Sequence, residues 1–175
     1  MSGDGAGVVD AHEAVADPSR PDAVTRTVVG RLIARGGTVA TAESLTAGLV
    51  SASLAEVPGA SAVLRGGVVS YATEVKIGVL GVPEDVVAEH GVVSEPVATA
   101  MATGVQERLG ADFGVATTGV AGPAPVDDHP PGHVWVAVAG PDGVSARLLQ
   151  LDGDRNEVRD AAVVHALGLL LEQLD

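Results

Sequence analysis

The order of helical and strand-like segments constrains the fold of this chain more tightly than any other feature. A helix is expected first. Val24, Val28, Leu32 and Ile33 form one apolar stripe, Ser19 can cap it, Pro21 suits its first turn, and Gly36 and Gly37 stop it. A strand over 38–42 follows, then a helix over 47–56 stopped by Pro58 and Gly59. A second strand is expected over 68–72, with helices over 73–80 and 83–89. Next comes a longer helix, running from a Ser94 cap to Leu109 with Glu95 and Pro96 in its first turn. The third strand spans 113–117 and leads into a Gly/Pro-rich loop. Segments 133–139 and 144–151 then read as a hairpin across Gly140-Pro141-Asp142-Gly143, and a last helix runs from Asp154 to about Leu171. Strands that alternate with helices pair in parallel, and a hairpin adds an antiparallel member. The expected fold is α/β: a three-layer α/β/α sandwich on a mostly parallel mixed sheet with one antiparallel strand. In such sheets ligands bind at the carboxyl ends of strands. Three strand ends here carry polar or Gly-rich turns, at 43–48, 71–76 and 117–123.

A length of 175 residues suits one domain, and no internal repeat divides it. Residues 1–16 are small, acidic and aperiodic and read as a disordered tail, leaving 17–175 as the domain. The chain has no Cys, which excludes disulfides, a thiol nucleophile and Cys-based zinc sites. A net charge of −13 argues against nucleic acid and against an anionic membrane surface as partners. No apolar run approaches the ~18–20 residues of a membrane span, and the start lacks the basic region of a signal peptide. A cytoplasmic protein is expected.

Four segments can carry chemistry. In ATAESLTAG a strand runs into a helix start, which exposes the Ser44 hydroxyl beside backbone N–H groups able to hold an oxyanion or a phosphate. Ser44 or Thr46 can equally be an ordinary helix cap, and caps are abundant. In SYATEVK stand the chain's single Tyr, Tyr71, and its single Lys, Lys76, among nine Arg. A desolvated lysine can act as the base for a serine, whereas Arg stays protonated; a solvated helix lysine is the ordinary alternative. In TTGVAGP, Thr118, Gly119 and Gly122 let backbone approach a ligand, or make a plain strand-to-loop turn. In DGDRNEVR, Arg155 and Arg159 stand one helical turn apart and can grip a phosphate, or pair with Asp152, Asp154 or Asp160. His129 and His133 lie in a Pro-rich loop without helical ligand spacing, so no metal site is expected.

Taken in order, these motifs resemble the C-terminal domain of the CinA family, the competence/damage-inducible proteins, a domain that also occurs as a stand-alone nicotinamide-nucleotide amidase. The resemblance covers about residues 22–172. It rests on Ala42-Glu43-Ser44-Leu45-Thr46-Ala47-Gly48, on Arg65-Gly66-Gly67-Val68-Val69-Ser70-Tyr71 with Lys76, and on Gly91-Val92-Val93-Ser94. It continues through Thr118-Gly119-Val120-Ala121-Gly122-Pro123 to Gly153-Asp154-Arg155 with Val158-Arg159. It implies an amidohydrolase that converts nicotinamide mononucleotide and water to nicotinic acid mononucleotide and ammonia, in pyridine nucleotide salvage and without a cofactor. It further implies Ser44 as nucleophile, with Tyr71, Lys76 and Thr118 in the catalytic set. Glu43, Thr46, Gly48, Gly119, Gly122, Arg155 and Arg159 would contact substrate, the arginines at its 5′-phosphate, and the domain would assemble as a homo-oligomer. Leu45 and Ala47 stand where the family has Cys and Gly, and the acidic loop 123–131 replaces a Gly-rich stretch ending in Lys-Pro. These departures keep a second reading in view, a pyridine-nucleotide-binding module of weak activity or a competence/damage-related partner protein.

Overall fold

The computed structural model describes residues 22–175. The tail expected over 1–16, the Ser19 cap and Pro21 lie outside the described residues. The elements are α1 (Asp22–Arg35), β1 (Val39–Glu43), α2 (Leu49–Ala55), a single 3₁₀ turn (Ala60–Ala62), β2 (Leu64–Val69), α3 (Thr73–Gly78), α4 (Glu84–His90), α5 (Glu95–Leu109), β3 (Phe113–Gly119), β4 (His133–Gly140), β5 (Gly143–Gln150) and α6 (Arg155–Gln173). The sheet runs in the order β2-β1-β3-β4-β5. β1 pairs in parallel with β2 and β3, and β4 pairs antiparallel with β3 and with β5. β4 is therefore the single strand running against the other four.

The two faces of the sheet are built differently. On one face Val39, Phe113, Val115, Val134, Val136 and Val138 meet α1, α2 and α6, whose Leu32, Leu54 and Leu170 are fully buried. On the other, Ala40, Ala42, Ala116, Ala137 and Ala139 meet α5 through Ala98, Met101 and Ala102. Small residues on both partners let α5 lie close to the sheet. At Gly114 the approach is so tight that a Cβ would overlap the carbonyl oxygen of Ala102. This face explains how a chain with 2% aromatic residues fills its core: the gap is narrow, and Ala, Val and Met suffice.

Three local expectations are corrected. β2 lies at Leu64–Val69 rather than 68–72, because Gly66 and Gly67 sit inside the strand, where glycine is ordinarily depleted. Gly67 is required there: a Cβ would overlap the hydroxyls of Thr41 and Ser51. α2 starts at Leu49 rather than at 47, because Ala47 (φ 50°) and Gly48 (φ 100°) are left-handed and extend the preceding turn. Ser94 precedes α5 but does not cap it with its side chain; its hydroxyl donates to the Gly91 carbonyl at 2.9 Å. Asp154 does cap α6. It accepts from the N–H groups of Asn156 and Glu157, while Glu157 accepts in return from the Asp154 N–H.

β1 and β3 are neighbours whose outgoing connections diverge, β1 through α2 to β2 and β3 into the loop before β4. A crevice opens where parallel strands part in this way. Ser44 follows β1 and Thr118 ends β3, and the Ser44 N–H donates to the Thr117 carbonyl at 3.0 Å, joining the two ends.

Candidate active site

A cavity of about 200 Å³ occupies this crevice, with Ser44, Lys76, Thr118, Tyr71 and Arg155 among its lining residues. Lys76, on α3, is 2% exposed. Its Nζ lies 3.1 Å from Ser44 Oγ, 2.6 Å from the Ser70 carbonyl and 3.4 Å from the Tyr71 carbonyl. None of these partners carries a charge, so nothing offsets the loss of water, and burial lowers the Lys76 pKa to about 8. In the neutral amine the two N–H bonds satisfy the two carbonyls and the lone pair is left for the Ser44 hydroxyl. The lysine is thus a base held against an alcohol, in a form that a few units of pH can populate.

Tyr71 reaches the cavity rim rather than its floor. It is 57% exposed, and its hydroxyl accepts from Arg155 Nη2 at 2.9 Å. Arg155 Nη1 donates to the Gly122 carbonyl at 2.8 Å, so the guanidinium spans the rim from the β2–α3 turn to the β3–β4 loop. Tyr71 orients Lys76 through its carbonyl while its phenol serves Arg155. Thr118 is buried, and its hydroxyl donates to the Val92 carbonyl at 2.8 Å, which ties the end of β3 to the segment before α5. Gly119 and Gly122 line the wall. The N–H groups of Leu45, Ala121 and Gly122, all from lining residues, donate to no protein acceptor among the described residues.

Four expected substrate contacts lie outside this wall. The Glu43 carboxylate is 1% exposed and accepts from the Gly48 N–H (2.9 Å), the Val50 N–H (3.0 Å), the Ser51 N–H (2.8 Å), the Thr46 hydroxyl (2.7 Å) and the Thr41 hydroxyl (3.1 Å). Those N–H groups at the start of α2, expected to face a ligand, are consumed by Glu43. Thr46 and Gly48 are occupied by the same network, and Thr46 also meets the Thr117 hydroxyl at 2.8 Å. Arg159 donates to the carbonyls of Leu45 (2.9 Å) and Thr46 (3.2 Å) and does not line the cavity. One arginine, Arg155, stands at the rim.

The departures noted in the sequence are also located. Leu45 is buried and contributes to the cavity lining. In the acidic loop, Val126 and His129 exchange two backbone hydrogen bonds around left-handed Asp127 and Asp128, a tight two-residue turn. Ala124 and Val126 line the cavity, whereas the two aspartates are exposed at the turn and do not. His129 and His133 stack on each other at 4.2 Å, and desolvation, aided by His129, lowers the His133 pKa. Ser70, Val92 and Val93 stood in the sequence motifs with no role given to them. Ser70 and Val92 act through backbone carbonyls and Val93 as apolar wall, roles for which residue type gives little signal.

The profile of the CinA C-terminal domain matches residues 21–174. The chain belongs to the CinA C-terminal domain family. A CinA-like protein of Frankia casuarinae is 52% identical over 153 residues, covering 87% of this chain and 35% of that protein. A CinA-like protein of an Anaeromyxobacter species is 51% identical over 150 residues, covering 85% of this chain and 37% of its own length. The chain spans about a third of the length of these curated relatives. Among solved structures, a CinA superfamily protein from Klebsiella pneumoniae superposes with a TM-score of 0.86 at 35% identity, covering 89% of this chain and 98% of its own. The competence/damage inducible protein CihA from Agrobacterium tumefaciens gives 0.87 at 33% identity, covering 93% of this chain and all of its own. The α/β fold of this chain is thus the fold of solved CinA superfamily proteins. No helix among the described residues is long and apolar enough to cross a membrane.

Proposed function

We propose that this CinA-family domain is a nicotinamide-nucleotide amidohydrolase, releasing ammonia from the ring carboxamide of nicotinamide mononucleotide through a covalent intermediate on Ser44. The observation that carries the reading is the buried Lys76 Nζ at 3.1 Å from Ser44 Oγ. A serine hydroxyl is a weak nucleophile until a base takes its proton, and a lysine serves when desolvation brings its pKa near the working pH.

In this reading Ser44 Oγ attacks the carboxamide carbon while Lys76 accepts the hydroxyl proton. The carbonyl oxygen becomes an oxyanion, and the unpartnered N–H groups of Leu45, Ala121 and Gly122 are the candidates to hold it. Collapse breaks the C–N bond, and Lys76 returns its proton to the departing amine, giving ammonia and an ester on Ser44. Water then attacks the ester with Lys76 again as base, freeing the carboxylate and restoring the serine. Arg155 at the rim offers its remaining N–H donors to the 5′-phosphate, within reach of a ring seated at the floor. Thr118 braces the wall rather than reacting. The rim charge is also what a −13 chain needs locally to admit an anionic substrate.

The test is turnover of nicotinamide mononucleotide by the purified protein. Ammonia and nicotinic acid mononucleotide accumulate one to one, and nicotinamide riboside, which lacks the phosphate, reacts with a higher KM. Absence of product from the mononucleotide overturns the reading.

A further inference from the structure

The turn that carries Ser44 is held from two directions by groups that never reach the cavity wall. From β1, the Glu43 carboxylate accepts five hydrogen bonds and makes none as a donor. Three come from backbone N–H groups beyond the turn, at Gly48, Val50 and Ser51, and two from the hydroxyls of Thr46 and Thr41. Thr41 in turn meets Ser51 at 2.5 Å in the space left by Gly67. From α6, Arg159 grips the carbonyls of Leu45 and Thr46 with Nε and Nη2. The two residues hold opposite polarities of the same turn: Glu43 takes its donors and Arg159 its acceptors.

Glu43 also reaches the lysine. Its main-chain carbonyl accepts from the Ser70 N–H at 2.8 Å, and the Ser70 carbonyl accepts from Lys76 Nζ at 2.6 Å. One residue therefore fixes the nucleophile's turn through its side chain and the base's anchor through its backbone. Ala47 makes the clamp more necessary here, because a left-handed alanine (φ 50°) is a conformation the turn must be made to keep.

We propose that Glu43 and Arg159 are positioning residues that set the Ser44 Oγ–Lys76 Nζ contact, and that neither contacts substrate. The proposal rests on the reading of Ser44 as nucleophile. A glutamine at 43 cannot replace the carboxylate. Whichever oxygen becomes NH₂ then faces at least one backbone N–H, Ser51 on one side or Gly48 and Val50 on the other. A lysine at 159 can reach one carbonyl but lacks the fork that spans two.

The experiment is the rate at which a fluorophosphonate labels Ser44 in the full-length wild type, Glu43→Gln, Arg159→Lys and Arg159→Gln, followed by mass. In this labelling Ser44 Oγ bonds to phosphorus and fluoride leaves, so no nicotinamide substrate is involved. Displacing a nucleophile by about 1 Å can cost on the order of a hundredfold. Each folded variant should label at least about tenfold more slowly than wild type, Arg159→Lys less impaired than Arg159→Gln. With nicotinamide mononucleotide, kcat should fall in parallel while KM stays within about twofold, because no substrate contact is lost. If Glu43→Gln does not fold, the two Arg159 variants decide alone. Wild-type labelling rates in the folded Arg159 variants overturn the clamp, as does a rise in KM at unchanged kcat, which would make Arg159 a substrate contact. A wild type that does not label at all overturns the serine reading itself, and the clamp with it.

Discussion

At the scale of single residues, the proposed chemistry depends on how one lysine is buried. Lys76 meets only carbonyls and a hydroxyl, and its pKa falls to about 8 because of burial. The neutral form is the base, so activity should be lost as pH falls and Lys76 takes up a proton. A pH profile of kcat/KM should show an acid limb with its midpoint near 8. A profile flat from about pH 6 to 9 would remove Lys76 from proton transfer. Lys76→Arg keeps the charge but cannot give up its proton near neutrality, so it should lose most of kcat with little change in mononucleotide affinity by calorimetry. The neighbouring turn offers a stability test. Ala47 holds φ 50°, where a Cβ costs roughly 1 kcal/mol that glycine avoids. Ala47→Gly should therefore raise the unfolding free energy measured by denaturant titration by about 0.5–1 kcal/mol, and a loss of stability would contradict a left-handed backbone at this position. Ser44, Tyr71, Lys76, Thr118 and Arg155, singled out in the sequence by the rarity of Lys and Tyr and by the motif order, all line one cavity. Their roles were less legible. Glu43 and Arg159 carry the charges expected of substrate contacts, and only the hydrogen-bond partners show those charges turned toward the chain's own backbone.

At the scale of elements, the sequence pattern placed nearly every helix and strand and misread those governed by tertiary contact. α5, with Glu95 and Pro96 in its first turn, and the β4–β5 hairpin around Pro141 and Asp142 lie close to where the sequence places them, although Ser94 does not supply a side-chain cap. β2 does not, because Gly66 and Gly67 argue against a strand until Thr41 and Ser51 are seen to need the space. α2 began two residues later than expected because the Ser44 turn is wound tightly around Glu43. The close seat of α5 on the sheet is an element-scale property with its own test. Gly114→Ala forces the new methyl into the Ala102 carbonyl, with no flexible side chain there to yield. Overpacking of this kind costs about 1–3 kcal/mol or more, so thermal unfolding of Gly114→Ala should begin well below wild type. An unchanged melting temperature would mean that α5 stands further from β3 than described.

At the scale of the whole molecule, the domain sets a small active cavity where β1 and β3 part, inside a chain of net charge −13. Arg155 stands at the rim, and its partners Tyr71 and Gly122 come from the two loops that border the cavity; under the proposed function it meets the anionic end of the substrate. Arg155→Ala should raise the Kd for nicotinamide mononucleotide by about tenfold or more while leaving the riboside unaffected, the pattern expected when a charge-assisted contact to phosphate is removed. Equal losses for both ligands would assign Arg155 to the rim's structure instead. The central claim, however, is that Ser44 forms a covalent bond with the substrate. It is tested most directly by ammonia release from nicotinamide mononucleotide in wild type and Ser44→Ala, with ligand affinity measured on both. The account predicts that Ser44→Ala binds the mononucleotide nearly as wild type does and releases no ammonia above background. Turnover by Ser44→Ala at the wild-type rate would contradict it and require water to attack the carboxamide directly.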